Sequence, residues 1–175
     1  MKAGANGLSG MVRAKTRLAM INLRMPMVVA AILSAIHMLT LALGVAAIFA
    51  RGRALSRPLD DAGWGRLLAA DNAWGAAAVL WIASGVGRVF YGGKEPSFYW
   101  RNGLFWVKLA LFGIVFLLEL RPMVTFIRVR RARSQGSAVP RFPVEAFRRI
   151  NAVELALVIA IVFVAAFMAR GAWLF

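Results

Sequence analysis

Four stretches of the chain are apolar over about twenty residues each, and short basic segments rich in Gly, Ser or Pro separate them. The first runs from about Pro26 to Ala50, where Arg51-Gly52-Arg53 interrupts it; the others cover about 71–90, 103–127 and 151–169. A helix of about 20 residues crosses the hydrocarbon layer of a bilayer, so each stretch is long enough to span it. The pattern predicts an all-α fold, a transmembrane four-helix bundle forming one domain over 26–170. Pro26 suits a helix start, and Pro122, late in the third span, predicts a kink or the end of the lipid-embedded part. Residues 1–25 read as a basic, interfacial N-terminal extension and 171–175 as an interfacial tail anchored by Trp173. The basic connector 51–70, with Leu55, Leu59, Leu67 and Leu68, is expected on the membrane surface, and 128–149 as a charged loop.

Composition sharpens this picture. Hydrophobic residues make up 61% of the 175 residues and charged ones 17%. The excess of 22 Lys and Arg over 7 Asp and Glu gives +15. In a soluble protein such a charge would suggest a nucleic-acid partner. Here the basic residues cluster at the ends of apolar runs, where they favour insertion and anionic headgroups, so the partner is the lipid bilayer and not nucleic acid. The denser basic runs lie at 51–66 and 128–149, which by the positive-inside rule puts both termini on the periplasmic side of a bacterial inner membrane. The absence of cysteine excludes disulfides and thiolate metal sites, and a single histidine excludes His-rich centres. No nucleotide-binding loop, zinc-protease or nucleophile-elbow motif stands in a credible context.

Ionisable residues at bilayer depth are functional candidates, because each costs several kcal/mol to place there. His37, Lys108, Glu119 and Glu154 qualify. His37 falls about 16 Å into the first span, on a narrow face shared with Ser34, Thr40, Leu41 and Gly44. A neutral imidazole there suits either an axial haem ligand or a hydrogen bond to a neighbouring helix. Lys108 reads as a snorkelling side chain, a propionate partner, a second axial ligand or a proton donor. It projects within about 20° of Glu119 but about 16 Å away along the axis. Glu154 opens the fourth span on the same side as Glu119, where Arg121, Arg148 and Asn151 could neutralise it; the two carboxylates read either as an interfacial Glu–Arg cluster locking helices together or as proton-relay residues. Arg88, Tyr91, Arg101 and Arg170 are expected to gather with Lys108 at the outer face, where they suit carboxylate recognition.

The runs Ala35-Ile36-His37-Met38-Leu39-Thr40-Leu41, Arg88-Val89-Phe90-Tyr91-Gly92-Gly93-Lys94 and Phe105-Trp106-Val107-Lys108-Leu109 look like those of a bacterial family of small four-helix membrane proteins of unknown function. The likeness covers about residues 27–170. More distantly, the arrangement resembles the haem-containing membrane protoporphyrinogen oxidase family, whose functional pair is a His in an early span and a Lys opening a later one. His37 and Lys108 match that pair by type and placement. Arg149, Asn151 and Glu154 match the cluster before its last span, although the Lys run reads Trp-Val-Lys where that family has His-Ala-Lys. The resemblance implies haem b held by His37, with Arg88, Tyr91, Lys108 and Arg170 around the cofactor. It also implies Lys108 as catalytic residue of an oxidoreductase acting on a porphyrinogen or quinol. Two other readings stay open: a non-enzymatic subunit or assembly factor, as a homodimer or on a larger membrane complex, and a small transporter using Glu119, Glu154 and Lys108.

Overall fold

The computed structural model describes residues 3–172, with side chains described from Pro26 onward. The side chains of the basic 1–25 segment and the expected anchor Trp173 lie outside the described residues. The elements are α1 (Ala3–Leu55), α2 (Asp61–Tyr91), a short α3 (Pro96–Trp100), α4 (Gly103–Ser134) and α5 (Val144–Ala169), with no strand among the described residues. Four of these helices carry stretches long and apolar enough to cross a membrane, over Pro26–Leu55, Asp61–Tyr91, Gly103–Ser134 and Val144–Ala169. The all-α membrane bundle expected from the pattern is therefore the architecture observed.

The prolines act differently from expectation. Pro26 lies inside α1 and does not start it, and α4 continues through a buried Pro122 to Ser134. Proline is tolerated within a membrane helix because neighbouring groups re-satisfy the freed backbone. The 51–70 connector is also mostly helix. Asp60 caps α2, its Oδ1 accepting from the Gly63 N–H at 2.6 Å, so the helix begins well ahead of the second apolar stretch. Leu55 and Leu67, expected at the membrane surface, are buried core residues. An N-cap together with an inward apolar face made helix more favourable than a surface strap.

The bundle interior is layered along its axis. At one end Tyr99, Leu104, Phe105 and Met168 pack together. Next comes a small polar layer at His37, Trp81 and Ser84. A dry middle layer of Ala47, Ile48, Trp74, Trp81, Val115, Val158 and Ile161 follows. Beyond it lies a charged layer around Arg51. The last layer, Ala54, Leu55, Trp64, Leu67, Phe126, Val129 and Phe147, closes the end that carries the interhelical segments 56–60 and 135–143. α1 packs most extensively on α2, then α4 on α5 and α1 on α5, while α2 and α4 touch only sparsely. Outside, Leu39, Val79, Leu117 and Phe163 are among many large apolar side chains left exposed, as a lipid-facing surface requires.

Candidate functional site

Arg51 is the centre of the charged layer. It stands at the start of the last turns of α1, on the stripe Thr40, Gly44, Ala47, Ile48, Arg51, Ala54, Leu55, all buried, whose three- and four-residue spacing follows one helical face. Only 1% of its side chain is exposed. Its Nε donates to Asn151 Oδ1 at 2.9 Å. Nη1 donates to Asp71 Oδ1 at 3.2 Å and to Glu119 Oε1 at 2.8 Å. Nη2 donates to Glu119 Oε2 at 2.9 Å and to Glu154 Oε2 at 2.5 Å. All five N–H donors of the guanidinium are thereby used, and the Glu119 pair is the bidentate fork that suits Arg to carboxylates. One side chain of α1 is bonded to α2, α4 and α5 at once.

A second ring of bonds fixes these partners. Asp71 turns Oδ2 to Arg130 Nη2 at 2.5 Å. Asn151 donates its amide to the Ile48 carbonyl at 3.0 Å. Gly52 leaves the space for that amide: a Cβ at 52 would stand 2.7 Å from Asn151 Nδ2. Asp71 and Glu154 are buried, and Glu119 is 17% exposed. Glu154 Oε1 has no hydrogen-bond partner although it is buried.

The second polar layer surrounds His37. The Trp81 indole N–H donates to His37 Nε2 at 2.9 Å. An indole nitrogen can only donate, so Nε2 is the acceptor and the proton of the neutral ring sits on Nδ1. That proton is donated to Ser84 Oγ at 2.9 Å, and Ser84 in turn donates to the Trp81 carbonyl at 3.1 Å. The ring lies against Gly85, whose added Cβ would meet Cε1 at 3.3 Å. The small residues of the second span thus seat an imidazole.

This arrangement bears on the haem expectation. A metal-bound histidine donates its second ring N–H to an orienting partner, and Ser84 supplies that partner. The lone pair on Nε2 that an iron needs is taken by Trp81, so the residues as arranged do not fit axial ligation. Two shallow grooves on the bundle surface, of about 510 and about 600 Å³, lie elsewhere, one lined by Arg121, Arg128 and Phe142 and the other by Met38, Phe49 and Val162.

The other expected site residues are scattered around one end. Lys108 is half-buried with its ammonium 4.9 Å from the Phe105 ring centre, within cation–π range, and it makes no ion pair or hydrogen bond among the described residues. The Arg88 side chain likewise has no anionic partner among the described residues; its carbonyl accepts from the Tyr99 hydroxyl at 3.3 Å. Tyr91 is 67% exposed, and among the described residues the exposed Arg170 side chain reaches the Ala166 carbonyl of its own helix and no acid. No ion pair or hydrogen bond joins Arg88, Tyr91, Lys108 and Arg170 to one another among the described residues.

The family model described as "Predicted membrane protein (DUF2214)" matches residues 29–172, from the first span to the last. The chain belongs to that family. No curated protein matches it, and neither does any solved structure. Membership in DUF2214 establishes a membrane protein and carries no activity or cofactor with it.

In this DUF2214 chain Glu119, Glu154 and Asn151 lie at one level, the side of the bundle expected for them, but their common partner is Arg51 and not Arg121 or Arg148. Arg121 and Arg148 are exposed, and Arg148 pairs with Glu145 on its own helix at 2.9 Å. Arg51 and Arg130, both read as flanking charges, take their places. The signal for Arg51 is the buried stripe of α1, which continues to Leu55 in unbroken register.

Proposed function

We propose that this chain is a non-catalytic membrane subunit, a rigid four-helix scaffold that packs in the bilayer against copies of itself or within a larger membrane complex. The observation that carries this reading is the closure of the interior by Arg51, whose donors are all used within the bundle. On one side of that layer lies the dry cluster of Ile48, Trp74, Val115, Val158 and Ile161, and on the other that of Leu67, Phe126, Val129 and Phe147. A transport path would need polar groups running from the Arg51 layer to the His37 layer, and apolar side chains fill that interval. The exposed Leu39, Val79, Leu117 and Phe163 offer faces of the kind through which membrane helices associate.

Purified protein reconstituted into vesicles loaded with a pH-sensitive dye tests the reading. Under an imposed proton gradient, the decay should match that of protein-free vesicles. A faster decay that is abolished by Glu119→Gln or His37→Ala would overturn it in favour of transport.

A further inference from the structure

The Arg51 layer does not balance its charges. Asp71, Glu119 and Glu154 bring three carboxylates, while Arg51 and Arg130 bring two guanidiniums. Among the described residues no other ionised group faces the layer: on α1 Arg53 leans over Phe49, on α2 Asp61 and Arg66 are at the surface, on α4 Arg121 is exposed, and on α5 Arg148 and Arg149 pair with Glu145 at the surface. The excess negative charge has a definite address. Both Asp71 oxygens accept from arginines, and so do both Glu119 oxygens. Glu154 has one oxygen on Arg51 and the other, Oε1, on nothing, with the side chain 0% exposed. An ionised carboxylate oxygen without a donor in a dry interior carries the full desolvation penalty.

From this geometry we propose that Glu154 is protonated on Oε1 and that the Arg51 layer is a proton-binding site. A metal or alkali ion would need several free oxygens, and only Oε1 is free. No group of three or more His, Cys, Asp or Glu among the described residues could hold a metal. A proton needs one oxygen and one acceptor. Glu119 Oε2 and Glu154 Oε2 both accept from Arg51 Nη2, at 2.9 and 2.5 Å, which sets the two acids side by side, and each Glu119 oxygen has a second lone pair to offer. With the proton bound, the layer is neutral and Oε1 no longer bears an uncompensated charge; Arg130 Nε stays without a partner.

The site reaches the surface at its edge, beside the Leu67, Phe126, Val129 and Phe147 cluster that fills the bundle axis on that side: Glu119 is 17% and Arg130 30% exposed, and Arg130 lies on α4 toward the end bearing segments 56–60 and 135–143. The dry layer of Ile48, Trp74, Val115 and Val158 bars the other direction. The proton therefore exchanges with a single membrane face, which makes the layer a one-sided proton sensor holding α5 against α1 and α4.

Infrared spectroscopy of the full chain in dodecyl maltoside, a detergent with no ester carbonyl, tests this directly. At neutral pH the wild-type protein should show the C=O stretch of a protonated carboxylic acid, shifted when its glutamates carry ¹³C at the side-chain carboxyl and lost in Glu154→Gln. Gln is a near-isosteric mimic of the protonated acid, so Glu154→Gln should melt within about 2 °C of wild type. Absence of the band in wild type, or a band unmoved by labelled glutamate, overturns the proposal. So does a fall in the melting temperature of Glu154→Gln as large as that of an Arg51 variant, since that is the signature of a lost ionised partner. These results are independent of vesicle flux: a proton current would sink the scaffold reading and leave the band in place.

Discussion

Replacing Arg51 with Met separates the role of its charge from that of its bulk. Met preserves most of the apolar stem and is an easy fit for an irregular core, so the change removes chiefly the five donors. Asp71 keeps its bond to Arg130, but Glu119 and Glu154 lose every hydrogen bond they receive from an arginine, and the Glu119 charge is left without a cation. Removing one partner of a buried ion pair is destabilising by about 3–5 kcal/mol, because the other charge stays buried. At about 2–4 °C per kcal/mol for a chain of this size, Arg51→Met should lower the melting temperature in detergent by roughly 10–15 °C, followed by intrinsic tryptophan fluorescence. Arg51→Lys should fall in between, since an ammonium has three donors and no planar fork. The decisive arm is the triple variant Arg51→Met, Glu119→Gln, Glu154→Gln. Replacing a whole buried ion cluster by neutral groups is often close to neutral, so it should recover at least half of the loss. If Arg51→Met melts within about 3 °C of wild type, or the triple variant is no better than the single one, the guanidinium is not what joins the helices.

Three further outcomes follow from the same geometry. Gly52→Ala places a Cβ on Asn151 Nδ2 and displaces the amide from both Arg51 and the Ile48 carbonyl; overpacking of this kind costs about 1–3 kcal/mol, and the melting temperature should fall accordingly while Gly75→Ala, at a position with open space, should be neutral. Trp81→Phe leaves the half-buried His37 Nε2 without its donor, a loss of about 1 kcal/mol, the low end for an unsatisfied group, readable in the same melt. Titration of the purified protein with haem should produce no Soret band that depends on His37, and a band lost in His37→Ala would show that Trp81 yields its place to iron.

How far the sequence reveals this molecule depends on whether a residue's neighbours share its element. The four spans were legible because a continuous apolar run of bilayer length has few other uses. The seat of His37 was half legible: a hydrogen bond to a neighbouring helix was one of the two readings of an imidazole at that depth, but nothing in the chain said that the Trp81 indole would take Nε2. Arg51 was misread for a physical reason. An arginine followed by Gly-Arg at the end of an apolar run has the form of a charged flank, and flank and core differ only in whether the helix goes on. It does go on, because Asp60 starts α2 only after Leu55 has turned Ala54 and Leu55 into the same buried face as Ile48. Arg130 was hidden in the same way, inside a run of arginines of which one faces Asp71.

The charged layer also explains how four helices find one arrangement in a solvent that gives apolar faces little reason to choose. Lipid is as apolar as leucine, so membrane helices associate through close packing and hydrogen bonds. Packing alone defines the α1–α2 and α4–α5 seams, where contact is extensive, but hardly the α2–α4 seam, where it is sparse. That seam is where the polar bonds concentrate: Asp71 to Arg130 at 2.5 Å, Asp61 to Arg133 at 3.1 Å, and Asp71 to Glu119 through Arg51. Asp61 is almost fully exposed, so its pair contributes little, and the weight falls on Asp71. Asp71→Asn should therefore loosen the α2–α4 seam selectively. Cysteines introduced at Leu68 and Arg133 of this cysteine-free chain would crosslink more slowly, while a pair across α1 and α2 would be unaffected. Equal slowing at both seams would mean that Asp71 supports the whole bundle and does not set the register of one edge.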